Sequence, residues 1–144
     1  MQICAESGWE YLNGKCYKLI TEQKSWQEAK DHCQTLNAKL AEPQSSCESD
    51  LLHYFFQITR PKDITENYAW IGINDNKTEK TFVFASNDQP LPYEYWIPGE
   101  PNNSYGWEDC VHLHHEFADG RWNDIKCDWK KLSICERRHF GGWP

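Results

Sequence analysis

The chain of 144 residues contains no run of 18 or more apolar residues, and a helix needs about that many to cross a bilayer, so no segment is expected to span a membrane. Its start, Met-Gln-Ile-Cys-Ala-Glu-Ser-Gly-Trp, has no apolar stretch of the kind a secretory leader carries, and no signal peptide is expected in the chain as it stands. Basic residues are in the minority, 15 Lys and Arg against 22 Asp and Glu, for a formal charge of -7. Neutralising phosphates takes clustered Lys and Arg, so nucleic acid is not expected as a partner. The chain also lacks G-x-S-x-G and H-E-x-x-H, the simplest signs of a serine nucleophile or a zinc protease. No catalytic activity is expected. Seven cysteines in so short a chain point the other way, to an oxidising, secreted and extracellular setting. An apolar content of 39% with eight Trp, seven Tyr and six Phe is enough to build one core, and a single domain over 1–144 is expected.

Chemistry concentrates between Trp96 and Cys127, W-I-P-G-E-P-N-N-S-Y-G-W-E-D-C-V-H-L-H-H-E-F-A-D-G-R-W-N-D-I-K-C. Glu100, Asn102, Glu108, Asn123 and Asp124 supply only oxygen donors, the set a hard cation such as Ca2+ prefers, whereas zinc favours nitrogen and sulfur. In Glu100-Pro101-Asn102, the carboxylate can give one oxygen to a metal and accept a hydrogen bond with the other. The carboxamide can give its oxygen and donate through its NH2. A vicinal diol laid over the ion could then complete the coordination shell while donating to the acid and accepting from the amide, which makes the pair a device for binding sugars. Pro101 suits a cis peptide that would turn both side chains toward one ion. Six carboxylates, Asp75, Glu79, Glu100, Glu108, Asp109 and Asp124, are candidate ligands, so bound cations would offset much of the acidity; the bland alternative is solubilising surface charge.

Glu100-Pro101-Asn102, Glu108-Asp109-Cys110, Trp122-Asn123-Asp124 and Cys127 together resemble the calcium site of C-type lectin domains. Upstream, Trp70-Ile71-Gly72-Ile73 resembles the family's core strand, and Cys33 and Cys135 its framework cysteines, so the resemblance covers nearly the whole chain. It implies an α+β fold in its long form, with two helices, two small antiparallel sheets and a long calcium-binding loop, stapled by disulfides. The implied primary ligands are Glu100, Asn102, Glu108, Asn123 and Asp124, which hold ion and sugar together. An auxiliary calcium site falls on Asp75, Glu79, Asn103, Glu108 and Asp109. Trp122 anchors the strand beneath the site. The implied partners are glycans on glycoproteins or cell surfaces, the cofactor is Ca2+, and no catalytic residue is implied.

Along the chain, Asn13-Gly14 between short apolar runs signals a hairpin over 4–19; a Cys4–Cys16 disulfide closing it is the natural reading and the one the resemblance implies. Ser25-Trp26-Gln27-Glu28 is a capping-box pattern that opens a helix over 25–37, with Trp26, Ala29, Cys33 and Leu36 on one face. Ser45 to Glu48 repeats the signal for a second helix over 46–59, with Leu51, Leu52, Phe55 and Ile58 behind it and Pro61 closing it. Tyr68 to Ile73 reads as a buried strand. The polar run 74–79 after it is either the auxiliary site or a solvated turn, but not an EF-hand. Phe82 to Trp96 reads as a strand and an ordered loop, followed by strands over 111–115, 120–124 and 131–135. Cys110 and Cys127 stand where they would close the site, and the remaining pairing is Cys33 with Cys135. Asn76-Lys77-Thr78 and Asn102-Asn103-Ser104 match the N-glycosylation sequon, but a glycan on Asn102 would destroy the proposed ligand.

Three readings compete with a calcium-dependent lectin. His112, His114, His115 and Glu116 suggest zinc, since alternate strand residues share a face, although histidines on a half-exposed strand are usually surface groups. A nucleophilic enzyme would have to use Cys47. A C-type lectin-like module that binds protein without sugar specificity would usually have lost part of the Glu, Asn, Asn, Asp set, which is whole here. As to the sugar, Glu-Pro-Asn resembles the mannose-type motif, while Tyr105 and Trp107 offer rings on which the apolar face of galactose could stack. Trp107 could equally pack beneath the loop, and His114 to Asp119 lengthens the segment before Asn123. Cys47 is left over from the three pairings. It is either intermolecular, linking a disulfide-bonded homodimer, or a buried thiol facing Leu51.

Overall fold

The computed structural model describes Cys4 and residues 8–78, 80–99, 109–114 and 120–138. Strands β1 (Glu10–Leu12) and β2 (Lys15–Lys24) form the N-terminal hairpin. Leu12 pairs with Lys15 across a two-residue turn, and Asn13 and Gly14 both take positive φ there, 50° and 91°. That is the conformation an Asn-Gly turn supplies at little steric cost. Helix α1 (Trp26–Thr35) opens with the expected capping box, the Ser25 side chain accepting from the Glu28 amide and Glu28 from the Ser25 amide. It is shorter than its pattern predicts, because Leu36 is the C-cap and Asn37 turns left-handed at φ 57°. Glu28 is also gripped by Lys130 Nζ at 2.8 Å, and that bond, with the Ser25 amide, holds its carboxyl down at about 2.

After the short β3 (Lys39–Leu40), helix α2 (Ser46–Thr59) starts on the Ser45 cap and stops before Pro61 with Arg60 extended, as the residue ahead of proline prefers. Its buried face is Ser49, Leu52, Phe55 and Phe56. Two residues of the expected apolar set do not join it: Leu51 is half-buried and Ile58 is 53% exposed.

The remaining strands are β4 (Tyr68–Asn74), β5 (Val83–Phe84), β6 (Cys110–His114), β7 (Trp122–Ile125) and β8 (Lys131–Arg138). They assemble in the order β1-β2-β8-β4-β6-β7, with β3 on β8 and β5 on β4. The two small antiparallel sheets predicted are halves of this larger one, joined by a parallel pairing of β4 with β8 at Ala69↔Leu132 and Trp70↔Ser133. Strand alternation divides the core in two. Ala69, Ile71, Ile73, Val111, Leu113, Leu132 and Ile134 pack with Leu52, Phe55 and Phe56 of α2. Trp70, Cys110 and Cys135 face the α1 side with Trp26, Ala29 and Cys33. Disulfides join Cys4 to Cys16, Cys33 to Cys135 and Cys110 to Cys127, the pairings the resemblance implies.

Candidate functional site

Trp122 fixes the floor of the site. Fully buried, it donates from Nε1 to Ser49 Oγ of α2 at 3.1 Å and meets Tyr93 and Trp96 edge-on at 5.1 and 5.4 Å between ring centroids. Ser49 Oγ also shares a hydrogen bond with the Tyr93 hydroxyl. Desolvation pushes the Tyr93 phenol up, so it stays a neutral hydrogen-bonding group. Just ahead of β7, Gly120 has φ +82°, and a Cβ there would lie 2.8 Å from both Ser49 O and His53 Cβ. Glycine is therefore needed for β7 to start this close to α2.

The segment leading into the Glu-Pro-Asn triplet is strapped to β7. The Trp122 amide donates to Tyr95 O and the Ile97 amide to Trp122 O, both at 2.9 Å, in a parallel bridge of Trp96 with Trp122. The strap thus runs toward Glu100 on one side as β7 runs into Asn123 and Asp124 on the other. The return end of the loop is pinned too, since the Asp75 amide donates to Asp109 O at 2.9 Å and Asn74 pairs with Cys110. Both margins of 100–108 are thereby anchored to the sheet, and the Cys110–Cys127 disulfide closes the same end of it. The strap has no separate reading in the sequence, where Tyr93 and Tyr95 in alternation, followed by Trp96 and Pro98, are the available sign of an extended, half-buried run.

Of the predicted ligands, Asn123 is half-buried and Asp124 wholly buried on β7, opposite His112 and Val111 of β6. Asp75 is only 1% exposed, and its Oδ2 accepts from the Lys80 amide at 2.7 Å. The structure brings Asp75 and Asp109 together. Glu100, Pro101, Asn102, Asn103, Tyr105, Trp107, Glu108 and Glu79 lie outside the described residues, as do His115 and Glu116. Among the described residues no cluster of three or more His, Cys, Asp or Glu side chains stands ready to hold a metal. The donor atoms that are described do suit a hard cation. Asn123 Oδ1 and Asp109 Oδ1 are buried with no hydrogen-bond partner among the described residues, and an acceptor left this way costs its desolvation unless something electropositive meets it. A calcium ion would do so at either position.

The histidines behave differently from the surface groups expected. His112 and His114 are 2% and 7% exposed, and both pack on Tyr68, His112 stacked at 4.7 Å and His114 edge-on at 4.6 Å. Lys131 Nζ lies over the same Tyr68 ring at 4.3 Å. Burial, then the charges of Lys131 and His114, push the His112 imidazole well below its ordinary value. An ammonium beside the pair opposes a zinc ion there.

Comparison with known proteins bears directly on this arrangement. The family described as "Lectin C-type domain" matches residues 22–137. The chain is 34% identical over 138 residues to the "C-type lectin mannose-binding isoform" of Oxyuranus scutellatus, covering 94% of this chain and 84% of that protein. It is 33% identical to the "Alpha-N-acetylgalactosamine-specific lectin" of Patiria pectinifera, covering 89% and 77%. The mouse CD209 antigen-like protein A, 36% identical over 90% of this chain, is a longer protein of which the chain spans 50%. Among solved structures, the cow CD23 carbohydrate-recognition domain, in the presence of a GlcNAc2Man3 oligosaccharide, superposes with a TM-score of 0.79 at 30% identity, covering 95% and 98%. The chain belongs to the C-type lectin domain family. Domains of this family are non-enzymatic carbohydrate-binding modules and are generally calcium-dependent.

Proposed function

We propose that this chain is a calcium-dependent carbohydrate-recognition domain that grips vicinal sugar hydroxyls at the end of β7. The observation behind the reading is the strap: Tyr95–Ile97 is hydrogen-bonded along β7, so the sequence leading into Glu100-Pro101-Asn102 starts beside Asn123 and Asp124, whose neighbour Trp122 anchors both runs. Glu100, Asn102, Glu108, Asn123 and Asp124 would hold the primary ion, and Asp75, Glu79, Asn103 and Asp109 an auxiliary one. Bound calcium supplies a Lewis-acidic centre whose shell two sugar hydroxyls can complete. The chain's own acids and amides orient those hydroxyls, a carboxylate accepting from each and a carboxamide donating to it.

Mannose-type hexoses are the first choice, on the Glu-Pro-Asn order. Galactose-type sugars stacked on Tyr105 or Trp107 are the second, and the relatives named above include proteins described by either preference. Three closed disulfides favour a secreted, extracellular protein acting on surface glycans. The exposed, unpaired Cys47 would link two copies into a disulfide-bonded homodimer.

Chromatography on immobilised mannose and galactose tests the reading. Retention in calcium at neutral pH, elution by EDTA, and weakening on acidification as the ligand carboxylates protonate are expected. Retention in excess EDTA would overturn it, and failure to bind any sugar on a glycan array would favour a protein-binding module.

A further inference from the structure

Ser49, near the start of α2, is wholly buried, and stability alone does not ask for a serine there. Alanine is the better helix former and has no hydroxyl to desolvate. A serine inside a helix commonly turns its hydroxyl to solvent or back to a carbonyl of its own helix. Ser49 Oγ instead bonds two side chains distant in sequence, the Tyr93 hydroxyl and Trp122 Nε1. The indole nitrogen can only donate, so it takes one lone pair of Oγ, and the other lone pair and the hydroxyl proton remain for Tyr93. One oxygen thus joins α2, the run into the strap, and β7.

We infer that Ser49 is a positioning residue for the ion, its hydroxyl fixing the strap and β7 at one spacing before calcium arrives. The role rests on the calcium reading of the site and adds the residue that presets its width. Trp122 is the link on one side, because Asn123 and Asp124 follow it directly and its own amide and carbonyl bond the strap. Tyr93 is the link on the other, just ahead of the strap that leads to Glu100. Neighbouring contacts hold the helix against both. The Tyr95 hydroxyl donates to Asp50 Oδ1 at 2.9 Å, and Gly120, where a Cβ would meet Ser49 O at 2.8 Å, lets β7 start against the same turn of helix.

Ligands drawn from two segments that move separately must be ordered when the metal binds, and that ordering is subtracted from affinity. A floor that already holds both segments removes this loss. Groups that hold metal ligands in place without touching the metal are worth about 10- to 100-fold in affinity. Ser49 acts through Trp122 and Tyr93 and on no ligand atom itself, so the lower end of that range, about tenfold, is expected. The sugar meets a site whose spacing the bound ion has already set. Its affinity at saturating calcium should therefore be nearly unaffected.

Calorimetry on the full oxidised chain separates the two affinities, first with calcium chloride alone, then on calcium-saturated protein with whichever of mannose and galactose the column retains. Ser49→Ala should weaken calcium binding about tenfold and change the sugar constant by less than about twofold. Ile20→Val, in the core cluster on the α1 side, should lower the melting point in EDTA and leave calcium affinity at the wild-type value, which separates positioning from lost stability. Trp122→Phe keeps a ring on the floor without its N–H and should also weaken calcium binding. Adding Ser49→Ala to it should weaken binding by less than about threefold more, since the link is already cut. Tyr93→Phe removes the strap-side hydroxyl alone and should weaken calcium binding even if Ser49→Ala fails to fold. Unchanged calcium affinity in Ser49→Ala or Tyr93→Phe, an equal loss in Ile20→Val, a loss confined to the sugar constant, or the same tenfold loss in both Trp122 backgrounds overturns the role and leaves the lectin reading standing. A wild-type chain that binds no calcium overturns both.

Discussion

Glu100 and Asn102 present opposite hydrogen-bonding characters to a diol, one purely accepting and the other able to donate. Exchanging them, as Glu100→Gln with Asn102→Asp, keeps one carboxylate and one carboxamide at the ion but reverses which hydroxyl each meets. The preference should move toward galactose by roughly tenfold or more, which is about 1.4 kcal/mol, and a glycan array in calcium measures it. An unaltered profile would assign selectivity to Tyr105, Trp107 or the histidine segment. At this scale the sequence was most legible where chemistry is carried by residue type, as in the oxygen-only donors and the Asn13-Gly14 turn. It was least legible where burial decides. Asp75 reads equally well as a solvated turn residue, yet it is 1% exposed beside Asp109, because a long-range backbone bond, which no local pattern encodes, carries it inward.

The same limit governs β6. Alternating histidines read as a half-exposed face, but Tyr68 and Lys131, distant in sequence, cover them. Tertiary neighbours overrode the local pattern, as they did for α2, where Ile58 belongs to the apolar set and faces outward. The covered histidine has a consequence for stability. His112 is held neutral by burial with Lys131 and His114 facing it, while in the unfolded chain it titrates near about 6.5. Its depressed value means the unfolded state binds more protons below that pH. The stabilisation is therefore complete above about pH 6.5 and is lost below it, at up to about 1.4 kcal/mol per pH unit until the folded value is reached. Glu136, pushed up by burial, acts in the opposite sense, its contribution present below the ordinary carboxylate value and lost as pH rises through the raised one. Melting in EDTA from pH 8 to 5 should show a falling midpoint that is flatter in His112→Phe, which keeps a ring against Tyr68. Parallel slopes in the two proteins would remove His112 from the account.

Across the whole molecule, the element order and the placing of both helices followed from caps and periodicity, and the three disulfides from the family resemblance. The merging of two sheets through β4 and β8 did not, since parallel pairing across so long a separation leaves no local mark. The disulfides differ in what they constrain. Cys33–Cys135 spans 102 residues and Cys4–Cys16 spans 12, and on a chain-entropy view loops of these sizes are worth about 4.7 and about 3 kcal/mol. Urea denaturation should find the Cys33→Ala, Cys135→Ala protein the less stable of the two double variants by about 1 to 2 kcal/mol. Equal losses would show that native-state packing dominates.

The same bonds determine how the domain responds to force. β2 and β8 run antiparallel with Cys16 opposite Arg137 and Lys18 opposite Cys135, so tension applied at the two ends of the chain pulls on one ladder in the unzipping direction. On the N-terminal side the Cys4–Cys16 bridge delivers the load straight to β2, bypassing the hairpin turn. On the C-terminal side Arg138, Arg137 and Glu136 can peel away one after another, until the load reaches Cys135 and passes through its bridge into α1. The rest of the sheet, with β7 and its strap, lies beyond that stop and bears none of the pull while the sulfur bonds hold.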